Sequence, residues 1–100
     1  MQTIRVKPDQ WTAIGDGLTF AVTDIDAGGV RVLLRGQIIG GPEDGATIDR
    51  PAEIAVGSEL RIGIITVALI DTKPSPLDSS AKLGVLGPQH LAIRPVKEPT

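Results

Sequence analysis

Leu18, Phe20 and Val22 stand two residues apart, with Thr19, Ala21 and Thr23 between them. An apolar side chain at every second position is the period of a strand with one buried face. After Ala27-Gly28-Gly29, where positive φ comes cheaply, the chain runs on as 30-VRVLLRG-36, so the two runs are predicted to form a hairpin. Gly15-Asp16-Gly17 links this hairpin to a short strand around 3-TIRVK-7 that ends at Pro8. Beyond it, 38-IIGGPEDGAT-47 carries glycines, a proline and an Asp-Gly pair, the composition of turns.

The same order of features then returns in weaker form. The segment 47-TIDRPAEI-54 echoes the opening strand, with Pro51 expected to end it, and Val56-Gly57-Ser58-Glu59 stands where Ile14-Gly15-Asp16-Gly17 stood. The run 60-LRIGIITVALI-70 is β-branched and too continuous to face water, so it is expected as one central strand. The loop 71-DTKPSPLDSS-80 precedes two final strands, 81-AKLGV-85 and 90-HLAIRPV-96, split by Gly87-Pro88; the tail KEPT is expected to fray. An amphipathic helical pattern of even ~10 residues is missing. The expectation is all-β: one domain over residues 1–100, a small sandwich or barrel of about seven to nine short strands. Its two similar halves, 1–46 and 47–100, would be related by pseudo-two-fold symmetry. Each half has too few strands to bury its own apolar face, so the two copies are expected to close one core together.

Composition narrows the function classes. One hundred residues support a single core. Trp11 and Phe20 are the only aromatic residues, so that core must be aliphatic. The absence of cysteine removes disulfides and thiolate metal sites. The opening MQTIRVKPDQ lacks the apolar run of a secretory signal, and 62-IGIITVALI-70 falls well short of the ~20 residues of a membrane span, so a cytoplasmic protein without a membrane partner is expected. With 10 basic and 12 acidic residues and no basic tail, binding of nucleic acid through the overall field is disfavoured, which leaves a local basic patch.

Candidate chemistry is sparse. His90 is the only histidine and has neither cysteine partners nor a nearby acidic pair, so no metal site is expected. Ser58, Ser75, Ser79 and Ser80 lie in a turn and a loop, outside any nucleophile elbow. Asp24, Asp26, Glu43 and Asp44 flank turns, and no helix follows Gly28-Gly29 or Gly40-Gly41 to make a phosphate site. Trp11 is read either as a lid on the core or as a contact for a partner. An enzyme is not expected: no catalytic residue, no cofactor.

The segment Ile14-Gly15-Asp16, followed in register by Leu18, Phe20, Val22, Ile25 and Val30-Arg31-Val32, resembles the CsrA/RsmA family of bacterial post-transcriptional regulators. Lys82-Leu83-Gly84-Val85-Leu86-Gly87-Pro88 resembles that family's R-I-G-I-x-A-P segment, and Leu91-Ala92-Ile93-Arg94 its last strand. Those regulators are small β proteins whose subunits interlock as dimers and bind GGA-containing messenger leaders. The resemblance implies two copies in tandem, folded as a single-chain imitation of the dimer.

It also implies a site. The family binds RNA where the first strand of one subunit runs beside the last strand of the other. Carried over, that edge combines Ile4, Arg5, Val6 and Lys7 with Leu91, Ala92, Ile93 and Arg94, with His90 and Lys97 close by; Arg5, Lys7, Arg94 and Lys97 would supply positive charge to phosphates. The chain departs from the pattern in three places. Arg94 takes the family's histidine position and Pro95 its arginine position, which also removes a donor. The second edge, Ile48-Asp49-Arg50 beside 37-QIIGG-41, has a shortened last strand without a basic residue, so at most one site is expected. The C-terminal helix of the family has no counterpart in VKEPT. The implied partner is a single-stranded RNA loop. The alternative is a non-enzymatic protein-interaction or structural β module, such as a phage-type accessory protein, that has lost RNA binding. In either case a monomer or weak homo-oligomer is expected.

Overall fold

A computed structural model describes residues 1–88 and 90–99. Among these residues nine strands follow in order: β1 (Gln2–Val6), β2 (Trp11–Ile14), β3 (Leu18–Asp26), β4 (Gly29–Gln37), β5 (Thr47–Ala55), β6 (Glu59–Ile62), β7 (Ile65–Lys73), β8 (Ser80–Leu86) and β9 (Ile93–Val96). They form a four-stranded sheet, β1-β8-β7-β6, and a five-stranded sheet, β5-β4-β3-β2-β9, with every pairing antiparallel. The two sheets stack as an open sandwich.

The strand order exchanges elements between the halves. β2, β3 and β4 come from residues 1–46, yet β1 leaves them and pairs with β8, Thr3 opposite Gly84 and Arg5 opposite Lys82. β5 opens the second half and joins the first half's sheet beside β4, Val32 opposite Ala52. Each half thus contributes its opening strand to the other half's sheet. Finer features repeat as well. β3 bulges between Val22 and Asp24 against β4, and β7 bulges between Leu69 and Asp71 against β8. Gly15 turns β2 into β3 at φ 63°, and Gly63 turns β6 into β7 at φ 62°.

The alternation read from the sequence explains the core. Leu18, Phe20, Val22, Val32 and Leu34 project from one sheet, and Ile65, Val67, Leu69, Leu83 and Val85 from the other, all essentially without solvent contact. The bulge in β3 inserts one residue, so the inward set resumes at Ile25, three positions after Val22. Each such apolar side chain contributes about 1.5–3 kcal/mol by leaving water.

Several expectations need correction. The run 60–70 is two strands, β6 and β7, joined by a tight turn at Gly63-Ile64. Its backbone is held from outside, since Ile64 N–H donates to the Ile39 carbonyl at 2.9 Å. Like Ile14-Gly15, Ile62-Gly63 joins a four-residue strand to a nine-residue one, whereas Val56-Gly57 joins β5 to β6. Pro51 does not end its strand; β5 continues through it to Ala55 because β5 lies at a sheet edge, where a missing donor is tolerated. Asp71–Lys73 extend β7 and Ser80 begins β8, which shortens the loop to residues 74–79. A strand also forms at Trp11–Ile14 where the sequence suggested only a connection.

Candidate functional site: the rim between β1 and β9

β1 is an edge of the four-stranded sheet and β9 an edge of the five-stranded one. The chain passes from β1 directly into β2, and β9 pairs with β2, Ile14 opposite Ile93 and Trp11 opposite Val96. The two edges consequently lie at the same rim of the sandwich. Gln2 Nε2 ties them at one end by donating to the Leu91 carbonyl at 3.3 Å. The expected neighbours are brought to one rim, but they are not paired in one sheet.

That separation divides the candidate residues. Ile4 and Val6 face the core from β1, Val6 fully buried, and Ile93 packs against the same core from β9. Their side chains hold the rim together and do not project from it. Arg5 lies on the outer face of the four-stranded sheet and donates from Nη1 to Ser80 Oγ at 3.0 Å. Lys7 pairs with Asp78 at 3.0 Å, a contact between largely exposed groups. Arg94 and Lys97, by contrast, line a 290 Å³ depression on the outer face of the five-stranded sheet, together with Arg35. The four expected charges therefore flank the rim from two sides rather than standing in one row.

Between the strand ends lies a cavity of 610 Å³, lined by Met1 and Gln2, by Val85 to Pro88, and by His90 to Ile93. Main-chain groups are available along the β9 side. Gly15 N–H donates to the Ala92 carbonyl at 2.8 Å. In an antiparallel ladder this alternation turns Arg94 and Val96 toward β2, and leaves the backbone of Ile93 and Pro95 facing outward. Pro95 sits opposite Thr12 in that ladder. Its missing N–H costs the sheet nothing but removes a donor from the open edge.

The opposite rim differs. Ile38 to Gly41 cross the end of β6 instead of extending beside it, and Asp44 Oδ1 accepts from Gly40 N–H at 2.6 Å to fold the chain back. Asp26 Oδ1 caps its own turn by accepting from Gly28 N–H at 2.9 Å. Among the described residues no group of three or more His, Asp or Glu is placed to hold a metal ion. Trp11 lies outside the core cluster, buried on the outer face of the five-stranded sheet with the Arg35 guanidinium 5.6 Å from its ring centroid. Neither sequence reading of Trp11 anticipates that position. Arg35, which joins Arg94 and Lys97, carries no sequence signal beyond its charge. No protein-family model, curated protein or solved structure matches the chain.

Proposed function

We propose that this protein is a CsrA-like RNA-binding regulator that occupies a single-stranded GGA-type loop at the β1/β9 rim. The observation that carries the proposal is the exchange of opening strands, which brings two strand edges to one rim beside a cavity, with Arg5 on the outer face of one sheet and Arg94 and Lys97 on the outer face of the other. Splayed bases of a loop present hydrogen-bonding edges that free backbone groups can read, and the outward groups of Ile93, with the Pro95 carbonyl, are of that kind. Arg5 on one flank and Arg94 and Lys97 on the other would take phosphates. Lys7 adds little charge because Asp78 already partners it. Occupying a messenger leader needs no reaction, in keeping with the sparse catalytic chemistry of the chain.

Titration with a hairpin RNA carrying GGA in its loop, at several salt concentrations, tests this reading. Three phosphates held by Arg5, Arg94 and Lys97 give a slope of log affinity against log salt of about −2. The Arg5→Ala/Arg94→Ala variant is expected to bind weakly with a slope of about −0.7. Binding unchanged in the double variant, or no binding by the wild type at micromolar protein, removes the proposal and leaves a protein-interaction module in its place.

A further inference from the structure

The five-stranded sheet has a strand, β9, on the outer side of β2; among the described residues the four-stranded sheet has none on the outer side of the equivalent strand β6. The two positions correspond through the turns at Gly15 and Gly63. We infer that the open edge of β6 pairs antiparallel with β6 of a second copy of this chain, joining two four-stranded sheets into one.

The direction of the backbone groups supports this. Leu69 N–H donates to the Ser58 carbonyl at 3.0 Å, so Ser58, Leu60 and Ile62 direct their main chain at β7. Glu59 and Arg61 then direct theirs outward. On β2 the same parity holds, where Gly15 and, by alternation, Ala13 and Trp11 bond β9. An antiparallel strand in this slot is already a feature of the molecule, built once by β9.

Charge fixes the register. A two-fold axis at Leu60 sets Glu59 opposite Arg61 of the other copy, and Arg61 opposite its Glu59. Both are hydrogen-bonded positions, and each pair exchanges two main-chain bonds. An axis at Arg61 or Glu59 would set like charges face to face, which is unfavourable. At the axis, the half-buried Leu60 side chains meet and cover one another. Among the described residues, the Arg61 side chain makes one long hydrogen bond, 3.4 Å to the Gly63 carbonyl, which pairing would give up. The other edges suit such pairing less well. β5 and β9 carry Pro51 and Pro95, and β1 self-paired would bring together Arg5 residues with no acid among Gln2–Val6 to offset them. The inference is independent of the RNA reading, since the β1/β9 rim stays open in the dimer.

Sedimentation across concentrations up to the millimolar range is the test. The wild type is expected to shift from monomer to dimer as concentration rises, with amide exchange slowing at Glu59 and Arg61. Arg61→Glu should weaken the dimer by about tenfold or more, and Glu59→Arg/Arg61→Glu should restore it by reversing both charges. Arg61→Pro removes an outward donor without touching the β6–β7 ladder, so it should remain folded, judged by its amide spectrum, and monomeric. A wild type that stays monomeric throughout, or a dimer indifferent to Arg61→Glu, overturns the inference, as does failure of the double reversal to restore pairing.

Discussion

Gly63 has φ of 62°, and a Cβ placed there would overlap the Ile39 carbonyl oxygen. Gly57 also has positive φ, 85°, but nothing lies within 4 Å of its would-be Cβ. The pair separates two effects that a glycine can carry. Gly57→Ala should cost about 1 kcal/mol, from the left-handed backbone alone. Gly63→Ala adds displacement of the segment whose carbonyl holds Ile64, and should cost about 3 kcal/mol or more. Urea unfolding of the two variants measures the difference; equal losses would mean that the 38–41 segment does not brace this turn.

At the scale of elements, the five-stranded sheet has a second apolar layer on its outer face, made by Trp11 with Arg35 stacked over it. Arg35 also bridges to Asp49 at 3.2 Å and donates to the Pro99 carbonyl at 3.5 Å. Since Trp11 is the only tryptophan, its emission reports on this cover. Arg35→Ala should shift that emission to the red and cost about 0.5–1 kcal/mol, the scale of an exposed cation–π contact; an unchanged spectrum would contradict the stacking. How much of this was readable in advance follows the range of the interactions. The β3–β4 hairpin was legible because alternation and a glycine turn are local. The β6–β7 turn was not, because Gly63 sits in an apolar run and its bend is braced by Ile39, far away in sequence. Pro51 misled for a related reason: a proline ends a central strand but not an edge, and edge position is a property of the sheet. The sequence reading set β1 and β9 side by side, and the structure has both strands at one rim. The facing of their side chains was missed, since Arg5 and Arg94 belong to different sheets and only the pairings of β1 with β8 and β9 with β2 decide that.

For the molecule as a whole, the exchange of β1 and β5 is what makes two small sheets into one core. A β2–β3–β4 meander alone would leave Leu18, Phe20 and Leu34 against water, and three such strands are marginal in isolation. The exchanged strands add a fourth to each meander and tie the sheets at both rims, so neither half has a core of its own. The rim between β1 and β9 follows from it, because β1 is delivered beside β9; the open β6 edge has a separate cause, since the chain after β4 folds back at Gly40–Asp44 instead of running beside β6. Inter-strand nuclear Overhauser effects in uniformly labelled protein test the exchange directly. Cross-strand contacts of Gln2–Val6 with Ala81–Val85, and of Gly29–Gln37 with Thr47–Ala55, are the predicted result. Contacts of Gln2–Val6 with β2, β3 or β4 in a shared ladder, and none with β8, would contradict it.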